Sequence, residues 1–217
     1  MKFIQKNSPP SELENWKIVQ LAIGVNCNFK SLRNPEKGLV HESLLTEQGF
    51  ICCYCCQRIT KEISHIEHFD PQSKTDDLLS ITYTNLLASC SPFPPKPEDL
   101  KKKPTHLDHC GNKRKNKNLP ISPLDPTCED YFTYTSQGEI RPRNPSQTGV
   151  QETIDTLNLN HRDLTHSRQN ALDALIGIDD AEARSLCNSC YCKNQQDEFE
   201  PFCIAVADYL RQNFSIP

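Results

Sequence analysis

Cys52-Cys53-Tyr54-Cys55-Cys56, Ile66-Glu67-His68-Phe69, Thr84-Asn85-Leu86-Leu87 and His109-Cys110-Gly111-Asn112-Lys113-Arg114-Lys115 follow one another within a stretch running from Cys52 to Lys117. Their order decides how the rest of the chain is read. Cys52 and Cys55 are separated by two residues, a spacing at which a tight turn presents two thiolates to one tetrahedral ion. Cys90 and Cys110 supply the natural other half, with the proline-rich run from Pro92 to Pro104 accounting for their wide separation. Cys53 and Cys56 share the spacing of the first pair, so spacing alone leaves the register open, and buried reduced thiols are the plainer alternative. Four protein ligands leave no open coordination position, which makes the expected Zn2+ structural.

Glu67 and His68 are neighbours on a segment, Glu62 to Phe69, that alternates as a strand does, so their side chains diverge. One can face a metal ion while the other faces a water molecule. Asn85 has the amide donors and acceptor needed to lock the loop that carries His68, and Asn112 offers an amide oxygen close to the last thiol. His65 shares the strand face of Glu67. Lys101, Lys102, Lys103, Lys113, Arg114, Lys115 and Lys117 crowd the two sides of Cys110, a local basic patch suited to a nucleic-acid backbone in a chain whose net charge is otherwise -4. The plain alternative is a solubilising lysine-rich loop. No aromatic residues interleave with these lysines, so a stacking platform for single strands is not indicated.

In this order the motifs resemble the HNH (ββα-metal) endonucleases, in which C-x-x-C is followed by an acidic residue and His, then Asn, then Cys, then Cys with Asn and basic residues. Met1-Lys2-Phe3-Ile4 with Pro9-Pro10, Ile66-Glu67-His68-Phe69-x-Pro71, Asn85-Leu86-Leu87-x-Ser89-Cys90, and His109-Cys110-Gly111 followed by Ile121-Ser122-Pro123-Leu124 are more narrowly similar to the PtuB nucleases of Septu antiphage systems and related retrons. The resemblance implies an α+β fold, a small ββα-metal core with a zinc knuckle embedded in mainly α-helical flanks. It implies that His68 is the general base, that Glu67 and Asn112 hold a catalytic Mg2+ or Mn2+, that Asn85 orders the His68 loop, and that Cys52, Cys55, Cys90 and Cys110 hold structural Zn2+. The implied partners are a PtuA-type ATPase, a DNA or RNA substrate and, in retrons, a reverse transcriptase with its RNA-DNA product. Glu67 stands where many of the wider superfamily carry Asp. A non-catalytic, zinc-stabilised subunit that binds nucleic acid or a partner is the competing expectation.

Twelve cysteines in 217 residues, with no apolar leader and no run of membrane-spanning length, point to a reducing, cytoplasmic setting and to metal rather than disulfides. Cys187, Cys190, Cys192 and Cys203 offer a second set of thiols, though Cys190-x-Cys192 is an awkward metal spacing. The expected organisation is an N-terminal helical segment (1–49), a nuclease core with its proline- and lysine-rich insertion (50–125) and a C-terminal hairpin and helical segment (126–217). Helices are expected from Ser11, capped there with Glu14, to Gly24, and from an Asn34 cap to Gly49. Further helices are expected over Thr82–Ser89, after an Asn160 cap, and over Asp197–Phe214, with a hairpin turning near Gln137-Gly138. The first and last helices, each with an apolar face, are candidates for a docking surface as well as for core.

Overall fold

Pro10 ends an extended N-terminal segment, and helix α1 (Ser11–Ala22) begins directly after it. The structure, a computed structural model, describes residues 1–91, 109–214 and 216. Pro10 itself takes the cap position and no side chain caps the helix, so the expected Ser11–Glu14 capping box does not form: Ser11 already lies inside the first turn. Only Leu13 of α1 is buried, whereas the apolar Ile18 and Val19 are 64% and 54% exposed. Helix α2 (Glu36–Glu47) likewise follows Pro35 rather than an Asn34 cap, and it buries Val40, Leu44 and Leu45 against the sheet while Leu39 faces out. Gly49 closes it at φ +59°, where a Cβ would come within 2.6 Å of the Phe199 ring.

Strand β1 (Ser64–His68) pairs antiparallel with β2 (Leu86–Cys90), placing Ser64 opposite Cys90, Glu67 opposite Leu87 and His68 opposite Leu86. The helix expected over 82–89 is therefore a single 3-10 turn at Tyr83–Asn85 that leads into a strand. Leu86-Leu87-Ala88 is an apolar run that periodicity cannot assign, and burial of the whole strand beside β1 decides it. Short helix α3 (Cys110–Arg114) returns to pack on β2. The expected proline-rich insertion and Lys101, Lys102 and Lys103 lie outside the described residues.

Strands β3 (Phe132–Tyr134) and β4 (Ile140–Pro142) form the expected hairpin, with Gly138 at φ +76° in its turn. Helices α4 (Val150–Leu157), α5 (Arg162–Asp173), α6 (Asp180–Ser189) and α7 (Cys203–Asn213) follow. Asn160 does not cap α5. His161 does, while the Asn160 amide bridges both backbone groups of Ile140. Helix α4 is unannounced by the sequence reading, and so is α6, although Asp179 and Glu182 make a capping box at its start. α7 is shorter than expected and is core rather than docking surface, since Cys203, Ile204, Ala207 and Leu210 are buried. One apolar cluster runs from Leu13 and Leu44 through Tyr54 and Leu86 to Phe132, Leu157 and Leu210. Among the described residues no helix is long and apolar enough to cross a membrane.

Candidate metal centres and active site

The turn after Ile51 folds back so that Cys56 N–H donates to Cys52 O, and this places the Cys52 and Cys55 thiols side by side. Cys90, at the end of β2, and Cys110, at the start of α3, complete a group whose four ligand atoms all lie within 4.8 Å of one another, every residue buried. Sulfurs about 2.3 Å from a tetrahedral zinc stand about 3.8 Å apart, and Cys55 Sγ and Cys90 Sγ are separated by 3.9 Å. The donor set and its spacing fit a zinc ion. Electrostatics favour the same occupant. Burial pushes the Cys110 thiol well above its ordinary value. Burial also works to raise Cys52, but the thiols of Cys110, Cys53, Cys55 and Cys90 around it outweigh that effect and hold it well below its ordinary value. A backbone donor, Cys90 N, lies 3.3 Å from Cys52 Sγ. A buried, closely spaced group of four thiols is a site that a cation completes. The register left open between Cys52/Cys55 and Cys53/Cys56 thus falls to the first pair. Among the described residues Cys187, Cys190, Cys192 and Cys203 form no comparable group.

Glu67 points from β1 toward this knuckle and α3. Its Oε1 accepts from Tyr54 Oη at 3.0 Å and from Arg114 Nη1 at 2.9 Å. Oε2 faces His65 Nε2 at 3.2 Å, the two residues sharing a strand face as their i, i+2 spacing requires. Gly111 backs onto both, for a Cβ there would lie 2.6 Å from Glu67 Oε2 and 2.9 Å from His65 Nε2. That cradle, with a carboxylate oxygen turned toward it, fits a divalent cation. Asn112 is the next residue of α3.

His68 points the other way, edge-on to Phe29 with ring centroids 4.5 Å apart. Its Nε2 lies 2.9 Å from Ser80 O, a carbonyl that can only accept, so Nε2 carries the proton and Nδ1 the lone pair. The Gln72 amide lies 3.1 Å from that Nδ1. Burial lowers the His68 pKa, against the opposing pull of the Ser80 carbonyl, and keeps the ring neutral. Asn85 holds the loop that follows: its Oδ1 accepts from Asp70 N at 2.6 Å, and its Nδ2 donates to Asp70 O at 3.2 Å and Leu79 O at 3.4 Å. A cleft of about 450 Å³ beside β1 is lined by Phe29, Lys37, His41, Lys61 and His65.

Arg114 departs from its expected place in the basic patch. It is 1% exposed, and its guanidinium donates to Tyr54, Glu67 and the carbonyls of His68, Phe69 and Lys117. A side chain so engaged cannot reach a phosphate. Lys115 and Lys117 are exposed at the end of α3, and Lys113 is half-buried.

Sequence reading missed Tyr54, Gln72, Ser80, Phe29 and Lys37 as neighbours of Glu67 and His68. Tyr54, lodged inside the cysteine cluster, carried a signal, since a buried tyrosine hydroxyl needs a polar partner. The other four are joined to the site only by tertiary packing.

No family model matches the chain. A relative from Vibrio cholerae serotype O1 biovar El Tor, named "Retron Vc95 putative HNH endonuclease", is 30% identical over 182 residues, which cover 81% of this chain and 84% of the relative. With likeness of this extent, and with the Glu-His strand, Asn85 and thiol cluster gathered in one place, the chain belongs to the HNH endonuclease family.

Proposed function

We propose that this protein is a metal-dependent endonuclease that hydrolyses phosphodiester bonds, with His68 as general base. The observation that carries the reading is the tautomer of His68: with Nε2–H committed to Ser80 O, the basic nitrogen is Nδ1, on a ring next in sequence to Glu67, whose Oε2 faces His65. Nδ1 takes a proton from water as the water oxygen attacks phosphorus, once the Gln72 amide yields its place to that water. Glu67 Oε2 and, in the family pattern, Asn112 would hold the divalent cation, which when bound would supply charge to the scissile phosphate and leaving oxygen. Asn85 keeps the loop beyond His68 in register, and β1, β2 and α3 act as the ββα-metal core. Zn2+ at Cys52, Cys55, Cys90 and Cys110 ties α3 to β2.

In this reading the protein is the effector of a bacterial antiphage complex of the PtuB type, acting with a PtuA-type ATPase and, in a retron setting, a reverse transcriptase and its RNA-DNA product. The retron named in the relative supports this setting. So does the apolar end of α1, where Ile18, Leu21 and Ile23 are 64%, 65% and 63% exposed and offer a face for a partner. The nuclease assignment is tested with His68→Ala: cleavage of DNA or RNA with Mg2+ or Mn2+, alone or with the co-purified partner, is lost while zinc content and melting temperature hold. A variant that cuts as well as wild type removes His68 from the mechanism, and a wild-type complex that cuts nothing supports the non-catalytic binding subunit.

A further inference from the structure

We propose that His65 is a ligand of the divalent cation, joining Glu67 and Asn112 in a site that favours Mn2+ over Mg2+. The inference rests on the nuclease reading above. The alternation of β1 sends His65 and Glu67 to the same face, and Tyr54 and Arg114 occupy Glu67 Oε1, so Oε2 is the oxygen left to bind. Its neighbour is His65 Nε2, at 3.2 Å. Adjacent ligands of an octahedral ion at about 2.1 Å stand about 3.0 Å apart, so the two atoms already have the spacing of a cis pair. A Cβ at position 111 would lie 2.6 Å from the oxygen and 2.9 Å from the nitrogen, so the glycine lets the backbone of α3 close over both donors. His65 has a third of its side chain exposed and lines the cleft beside β1. An imidazole ligand suits transition-metal ions, whereas Mg2+ prefers oxygen and retained water. The competing account is a plain His–Glu ion pair that holds the strand.

The experiment uses the zinc-loaded full chain, with zinc content checked, and Mn2+ followed by electron paramagnetic resonance in the absence of nucleic acid. Wild type is expected to bind Mn2+ at least about tenfold more tightly than Mg2+, and His65→Ala to lose at least about tenfold in Mn2+ affinity with a smaller change for Mg2+. His65→Asp shifts preference toward Mg2+, and Gly111→Ala weakens both ions by filling the cradle. Because a variant can also fail by misfolding, the wild-type Mn2+ complex is examined for nitrogen hyperfine coupling. A coordinated imidazole nitrogen that persists in His68→Ala supports His65. Absence of that coupling, or a folded His65→Ala that binds Mn2+ like wild type, overturns the inference while leaving the His68 test of nuclease activity untouched. A protein that binds Mn2+ through His65 and cuts nothing overturns the nuclease reading alone.

Discussion

Arg114 Nη1 and Glu67 Oε1 lie 2.9 Å apart with both side chains buried, and Tyr54 Oη stands 2.8 Å from the guanidinium and 3.0 Å from the carboxylate. The triangle ties α3, β1 and the cysteine turn together at one carboxylate. Burial, followed by the charge of Glu67, raises the Tyr54 pKa well above its ordinary value, so Tyr54 stays a donor. Breaking a buried ion pair by removing one partner costs about 3–5 kcal/mol, because the other charge is left uncompensated. Arg114→Met is therefore expected to lower stability by that amount in urea unfolding. Arg114→Lys recovers only part of it, since an ammonium cannot reproduce the forked donation to Tyr54, Glu67, His68 O and Phe69 O. In nucleic-acid binding titrated against salt, Lys115→Ala and Lys117→Ala each reduce the slope by about one, as phosphate contacts do. Arg114→Met, measured where the variant is folded, leaves the slope unchanged. A reduced slope for folded Arg114→Met puts this residue back on the surface.

Chemistry was more legible in the sequence than packing was. Cys52-x-x-Cys55 could be read because metal chemistry restricts residue type and spacing, and the gathering of the four thiols follows the expected pairing. The strand at Leu86–Cys90 was not legible, because a short buried apolar run carries the same local pattern in a helix as in a strand, and only pairing with β1 separates them. Arg114 was misplaced for a related reason. It sits among Lys113, Lys115 and Lys117, and nothing local reports that one turn of α3 aims it at Glu67 instead of solvent. Ile18, Val19 and Leu39 are apolar yet exposed, and nothing in the local sequence separates them from the buried apolar residues of the same helices.

Zinc removal tests the thiol group as a unit. Purified protein is expected to carry about one equivalent of zinc, and a structural zinc site contributes binding energy of about 10 kcal/mol or more to folding, comparable to the whole stability of a domain. A strong chelator should thus abolish the cooperative thermal transition, and re-adding zinc should restore it. Cys55→Ser should bind less than half an equivalent. Cys192→Ser, at an exposed cysteine outside the group, serves as the control and keeps full zinc content. Equal zinc content in both variants shows that the ion sits elsewhere.

His41 sets a pH dependence of stability. Its Nε2 lies 2.9 Å from Ser64 Oγ, whose own proton goes to Thr60 O, so Nε2 is the donor. Burial first, then His65 and Lys61, lowers its pKa from 6.5 to about 4, against the smaller opposing pull of Glu42 and Glu62. A folded-state pKa below the unfolded one means that the neutral ring stabilises the fold above pH 6.5, and that this contribution drains away as the pH falls from 6.5 toward 4. His41→Gln keeps a donor for Ser64 but cannot titrate. Urea unfolding across that range is expected to show a shallower decline for the variant than for wild type. Parallel curves rule out His41 as the source.

Asn85 is expected to act on rate through the loop and not through the metal. Its amide makes both backbone bonds of Asp70 and reaches Leu79 O, so it fixes the two ends of the loop that presents Gln72 and Ser80 to His68. Without it, Ser80 O no longer holds Nε2–H in one direction, and the orientation of Nδ1 spreads. Misplacement of a base by about 1 Å can cost about 100-fold in rate. Lost hydrogen bonds cost about 1 kcal/mol each in stability. Asn85→Ala should therefore lower kcat about 100-fold and, with three bonds lost, stability by about 3 kcal/mol, with zinc content and Mn2+ affinity unchanged. Asn85→Asp keeps the acceptor for Asp70 N and loses the donors, so it should fall between the two. A loss of Mn2+ affinity in Asn85→Ala would assign the residue to the cation site, and an unchanged kcat would mean that the β1–β2 pairing alone suffices to orient His68.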